Sequence, residues 1–221
     1  MDEKDTNRLE AFSDGVFAVA ITLLVLDIKL PYADSSGKLL GNSELWQAIF
    51  EQWPMLLAFV TSFFTIGIMW LNHHRIFKHI KHSDTSLVFL NIILLMLIVF
   101  IPVPTALLVE YITHPELNTA ALLYSGTFFA MALCFNLLWR YASYKGRLLG
   151  QQVDMDGVNK ISRQYLFGPL VYIIALAIAW INTPASLIFN LLLAIFFALP
   201  DTPMKPGKKD QDPQLPMSES V

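Results

Sequence analysis

Long apolar blocks separated by short polar stretches constrain the fold of this 221-residue chain more than any other feature. The hydrocarbon core of a bilayer is about 30 Å thick and requires roughly 20 apolar residues from each crossing helix. Charged residues make up only 15% of the chain, whereas a soluble domain carries about 25%. The sequence therefore predicts an all-α, polytopic membrane protein.

The apolar blocks predict six transmembrane helices in a single domain at 1–199. Their expected bounds are 8–30, 47–76, 86–110, 118–142, 163–181 and 184–199. The last two blocks are short, so they either form a thin or tilted pair or lie partly at the periphery of the bundle. Residues 200–221 are rich in proline, lysine, aspartate and serine, a composition that predicts a disordered cytoplasmic tail.

The distribution of lysine and arginine predicts that both termini are cytoplasmic. With the N-terminus inside, thirteen of the fifteen basic residues fall on the inner side, and only Lys29 and Lys38 fall outside. Inner loops of membrane proteins carry an excess of lysine and arginine. An even number of spans agrees with this orientation. The composition also suits a multi-pass membrane protein that is surrounded by lipid.

The first predicted span, RLEAFSDGVFAVAITLLVLDI, carries polar residues near both of its ends: Arg8, Ser13, Asp14 and Asp27. Polar groups at membrane depth are costly, so they usually face protein or water rather than lipid. Ser13 and Asp14 either form a buried polar knot with neighbouring helices or cap the start of the helix. The sequence leaves both interpretations open.

Polar residues in the second and third spans are candidate partners for this knot. Trp70 and His73 are three residues apart, so they share a face of the second helix. We expect His73 to form a hydrogen bond with Ser13 or Asp14. Asn91 lies in an apolar block and needs a partner, so we expect it to pack between helices.

Signals of catalysis or of a resident metal are absent from the sequence. His79 and His82 are three residues apart, but no cysteine or carboxylate cluster completes a metal site with them. There is no nucleophile elbow, zinc-protease signature or phosphate-binding loop. We therefore expect no enzyme activity, no cofactor, no bound metal and no nucleic-acid partner.

The first span resembles the signature helix of the endolysosomal potassium channel family and its prokaryotic relatives. The family mark is an arginine, three residues and then Phe-Ser-Asp, which stands here as RLEAFSD at residues 8–14 and continues into an apolar helix. The resemblance covers essentially the whole chain, although the last two spans match in little beyond hydrophobicity. Further matching residues are Trp70, His73, His74, Asn91 and the run from Phe100 to Thr105.

The resemblance implies a potassium-permeable channel in which four copies of the chain surround a central pathway for monovalent cations. It implies an apolar constriction by side chains of the first helix: Val19, Leu23 and Leu26. Thr22 and Leu30 are expected to line the same path. Asp27 lies either at its outer mouth, where it raises the cation concentration, or at the membrane interface as a merely solvated residue. The remaining polar residues are expected to form a hydrogen-bond network that holds the pore helix: Arg8, Ser13, Asp14, Trp70, His73 and Asn91.

The residues alone do not select the pore face. Positions 19, 23, 26 and 30 form one stripe on a helix, and stacked apolar rings resist the passage of ions. The opposite stripe at 17, 20, 24 and 28 is apolar too.

Two other functions also stay open, an ion-coupled secondary transporter and a non-conducting membrane scaffold. The lack of an evident internal repeat argues against the transporter.

Overall fold

A computed structural model describes residues 3–28, 33, 37–111, 117–150 and 155–198. Within these ranges the regular elements are all helical, which confirms the predicted all-α class. The helices are α1 (Glu3–Leu23), α2 (Asn42–Glu51), α3 (Trp53–His79), α4 (Thr85–Phe100), α5 (Pro102–Glu110), α6 (Leu117–Ser143), α7 (Met155–Ile181) and α8 (Thr183–Ala198). Short 3₁₀ turns at Leu24–Asp27 and Tyr144–Gly146 continue α1 and α6.

Four helical stretches of the described chain are long and apolar enough to cross a bilayer: Thr6–Leu26, Thr85–Glu110, Asn118–Gly146 and Met155–Ile181. The helix α3 has 27 residues but is not among them. The helix α8 contributes a shorter apolar stretch at Ala185–Phe196. The predicted count of six spans therefore stays a prediction. The predicted tail at 200–221 lies outside the described residues.

Proline decides where two of the predicted spans are interrupted. The second span is divided at Gln52 into α2 and α3, and Pro54 lies in the first turn of α3. The third span is divided at Ile101, and Pro102 begins α5. Proline lacks a backbone N–H, so it starts a helix more easily than it continues one.

The packing of the helices leaves α1 at the edge of the subunit. It lies against α3 and α4, whereas α6 packs along α7 and also contacts α4, α5 and α8. The buried face of α1 and of the turn that continues it includes Phe17, Ala20 and Leu24, which are at most 3% exposed. Phe17 and Leu24 join the same apolar core as Ile66 of α3 and Leu94 of α4. One side of α1 is thereby fixed to the subunit, and the other side faces away from it.

A clasp joins the α3–α4 connection to the α6–α7 connection. The backbone N–H groups of Lys81 and His82 donate to the Leu148 carbonyl at 2.8 and 3.1 Å. A glycine is needed at residue 150, because a Cβ there would lie 2.9 Å from Cγ of Lys81. These contacts place the ends of α3 and α6 and the starts of α4 and α7 on the same side of the bundle.

Asp84 lies at the centre of this clasp. Its Oδ1 accepts from the Leu87 N–H at 2.9 Å and caps α4, and its Oδ2 accepts from the Tyr141 hydroxyl at 2.6 Å. Arg147 lies 3.3 Å from the same oxygen. Partial burial opposes the charged carboxylate, but the hydrogen bonds from Tyr141 and Leu87 and the Arg147 charge outweigh it and lower the pKa of Asp84.

We predict that Asp84→Ala lowers the free energy of unfolding by about 1–2 kcal/mol, as expected for the loss of a helix cap. Because the pKa of Asp84 is lowered by folding, its contribution is present above pH about 4, the pKa of an unfolded aspartate. The contribution is lost as the pH falls through the lower folded pKa. The measurement is thermal unfolding of detergent-purified protein between pH 3 and 7. The control is Glu110→Ala, which removes an exposed carboxylate at the end of α5. The account would be contradicted if the difference in unfolding temperature between Asp84→Ala and the unmodified protein did not become smaller towards pH 3.

Candidate functional site

A chain of buried hydrogen bonds connects α1, α3 and α4. Ser13, His73 and Asn91, one from each helix, are all 0% exposed. The Asn91 amide Nδ2 donates to Ser13 Oγ at 2.8 Å, and Asn91 Oδ1 lies 2.9 Å from His73 Nε2. Since an amide oxygen only accepts, His73 donates through Nε2. Ser13 in turn donates to the Leu9 carbonyl at 2.8 Å.

Aromatic contacts fix the imidazole ring of His73 in this chain. The ring stacks on Phe77 with a centroid separation of 4.2 Å. Phe17 of α1 approaches it edge-on at 5.4 Å. The ring therefore has little freedom to turn away from Asn91, and the three helices are held in one register.

A second set of contacts joins α1 to α3 nearer the surface. Trp70 Nε1 donates to Asp14 Oδ1 at 2.8 Å, and His74 Nδ1 lies 2.9 Å from Glu10 Oε1. Glu10 and Asp14 are one turn apart on α1, as Trp70 and His74 are on α3, so the two contacts form successive rungs between the helices. The Trp70 and His74 rings also stack with centroids 6.0 Å apart.

The structure does not bring all the predicted network residues together. Ser13 and Asp14 lie in separate sets of contacts, and His73 contacts Ser13 only through Asn91. Arg8 is exposed and has no hydrogen bond or ion pair within the described part of the chain. The Glu10–His74 pair was not among the predicted contacts. The sequence spacing could have indicated this pair, because Glu10 precedes Asp14 by four residues and Trp70 precedes His74 by four residues.

The predicted constriction residues lie on the side of α1 that faces away from the subunit. Val19 is 54% exposed, Leu23 45% and Leu26 70%. Thr22 is also exposed, and its hydroxyl donates to the carbonyls of Ala18 and Val19 at 3.0 Å. The side chain of Asp27 and residue Leu30 lie outside what the structure describes. Phe17, Ala20 and Leu24 of the opposite stripe are buried against the subunit, whereas the stripe that includes Val19 and Leu23 is available to a pathway or to another copy.

Comparison with known proteins decides what kind of molecule carries this site. A sequence model of the family described as endosomal/lysosomal potassium channel TMEM175 matches residues 8–102. A potassium channel of Chamaesiphon minutus is 46% identical over 198 residues, which cover 90% of this chain and 96% of the relative. The chain belongs to the TMEM175 family. A potassium channel of Streptomyces collinus is 40% identical over 201 residues, with 90% and 95% of the two chains covered.

A solved structure supports the same assignment. The crystal structure of a lysosomal potassium-selective channel TMEM175 homolog from Chamaesiphon minutus superposes with a TM-score of 0.78 at 44% identity, covering 88% of this chain and 97% of that one. The TMEM175 family is a channel family and not an enzyme family. The matched residues 8–102 include most of α1 and all of α3 and α4, the helices that carry both sets of contacts.

We predict that Asn91→Leu destabilises the subunit by about 1–3 kcal/mol, because it leaves the His73 N–H buried without an acceptor. Arg8→Ala is the control from the same predicted network, and should change the stability of the subunit by less than about 0.5 kcal/mol. Thermal unfolding in a detergent that dissociates any oligomer measures both variants. Equal losses of stability in the two variants, or no loss of stability in Asn91→Leu, would contradict the proposed role of the buried hydrogen bonds.

Proposed function

We propose that this TMEM175 family member is a potassium-permeable, cation-selective channel that conducts passively through a central pore lined by α1. The observation that carries the proposal is the division of α1 into a buried face and an exposed apolar stripe. Two close relatives carry the name potassium channel over nearly their whole length. Their names support potassium as the permeant ion.

The proposed assembly is a homotetramer in a bacterial cell membrane, with six spans per copy and both termini in the cytoplasm. In this arrangement α3 and α8 supply the two spans beyond the four apolar stretches. The excess of basic residues on the inner side supports the orientation. Arg8, which is exposed in the single subunit, faces a neighbouring copy in this proposal and completes the network there.

The constriction acts through the cost of dehydrating an ion. Copies of Val19, Leu23 and Leu26 around a central axis would stack as narrow apolar rings, which exclude water and force an ion to shed part of its hydration shell. Thr22 lies beside this stripe, and its hydroxyl oxygen can face a partly dehydrated cation. Leu30 continues the stripe outward, and Asp27 raises the local cation concentration at the outer mouth.

The buried contacts of α1 make such a constriction possible. A helix that presents a bare apolar stripe to a pathway needs its position fixed from the other side. The chain of hydrogen bonds from Ser13 through Asn91 to His73 supplies that fixation. Asp14 and Trp70 add a second point of attachment. In this proposal these polar residues hold the pore helix and do not bind the permeant ion.

The experiment is potassium flux from liposomes that contain the purified protein. Under a potassium gradient, the protein should pass potassium without a coupled ion, with slower sodium flux and no chloride flux. Flux that requires a proton or sodium gradient would replace the channel with an ion-coupled transporter. The absence of flux in correctly inserted protein would favour a non-conducting scaffold.

We predict that Leu23→Ser and Leu26→Ser each raise potassium conductance or reduce discrimination against sodium, because a hydroxyl hydrates the ring. Leu170→Ser in α7 is the matched control, since Leu170 is 57% exposed and lies on a helix that packs mainly against α6 and α8. Single-channel recording and the flux assay provide the measurements. Unchanged currents in both α1 variants, or the same effect in Leu170→Ser, would remove the pore assignment.

A further inference from the structure

A polar cavity of about 240 Å³ lies between the beginning of α1 and the end of α3. Its polar lining comes from three residues of α1 and three from the end of α3 and the segment after it: Thr6, Asn7, Glu10, His74, Lys78 and Lys81. A water molecule takes up about 30 Å³ of liquid, so the cavity holds a group several times larger than one water. It is separate from the exposed stripe of α1.

Thr6 provides the first indication that the cavity is built for a ligand. The residue is only 3% exposed, and its hydroxyl oxygen has no hydrogen-bond partner among the described residues. Buried hydroxyl groups are nearly always hydrogen-bonded in folded proteins. Thr6 also lines the cavity, so its hydroxyl oxygen is available to a group bound there.

The charges around the cavity favour an anion. Lys78 and Lys81 both line it, and neither ammonium group has an ion pair within the described part of the chain. The backbone of Lys81 is held by the clasp, since its N–H donates to the Leu148 carbonyl at 2.8 Å. The acidic group at the cavity, Glu10, is already engaged with His74 at 2.9 Å. The two lysines therefore leave an excess of positive charge.

We propose that this cavity binds a phosphoryl group. Lysine ammonium groups are common ligands of phosphate, and the Thr6 hydroxyl and the Asn7 amide add neutral donors from the opposite helix. The phosphoryl group comes from an anionic phospholipid of the inner leaflet or from free phosphate in the cytoplasm. Placing the cavity on the cytoplasmic side rests on the proposed orientation; the binding chemistry does not. A ligand at this site would bridge the start of the pore helix to α3.

The test measures binding to the purified full-length protein without any ion gradient, so its outcome does not depend on whether the chain conducts. Native mass spectrometry with phosphatidylglycerol and phosphatidylcholine tests the lipid source. Isothermal titration calorimetry with inorganic phosphate tests the free anion. We expect Lys78→Ala and Lys81→Ala each to weaken binding roughly five-fold, as a lysine near an anionic surface contributes about that factor. Thr6→Val should also weaken binding.

Two further variants make the prediction specific. Glu10→Gln removes a negative charge beside the phosphoryl group and should tighten binding. Lys160→Ala removes an exposed lysine from α7 on the same side of the bundle and should leave binding unchanged. Preference for phosphatidylglycerol identifies the lipid source, and binding of inorganic phosphate identifies the free anion. No binding of either, or an equal effect of Lys160→Ala, would overturn the proposal.

Discussion

The chain of hydrogen bonds from Ser13 through Asn91 to His73 is the interaction on which the rest of this structure depends. Each of the three residues is fully buried, so none of them can exchange its partner for water. A polar group without a partner at membrane depth costs several kcal/mol. The alignment in which these three side chains bond to one another is therefore strongly preferred, and it sets the positions of α1, α3 and α4 relative to one another.

Fixing α1 from one side has a direct consequence for its other side. Phe17, Ala20 and Leu24 enter the core of the subunit, and the helical period then turns the stripe that contains Val19 and Leu23 outward. The same division is needed by a helix that lines a pore between copies. The polar anchor and the apolar stripe are thus two faces of one element, and the position of the second follows from the first.

Part of this arrangement could be predicted from the sequence. The all-α class followed from the apolar blocks, and the need of Asn91 for a partner followed from its surroundings. The choice of His73 rather than His74 as its partner, and the separate Asp14–Trp70 contact, depend on how two helices are rotated against each other. Periodicity shows which residues share a face but does not show which face meets which neighbour. The clasp joins Asp84 to Tyr141, which is 57 positions away in the sequence. Local sequence patterns do not indicate contacts between residues so far apart along the chain.

The central claim is that the exposed stripe of α1 faces the ion pathway, and cysteine accessibility tests it most directly. The chain has one cysteine, Cys134, which is 5% exposed, so an introduced thiol can be distinguished from the background. Val19→Cys, Leu23→Cys and Leu24→Cys would be reconstituted and treated with a positively charged thiol reagent during recording. The account predicts that the first two variants lose potassium current and that Leu24→Cys keeps it. Loss of current in Leu24→Cys alone, or in none of the three, would contradict the account.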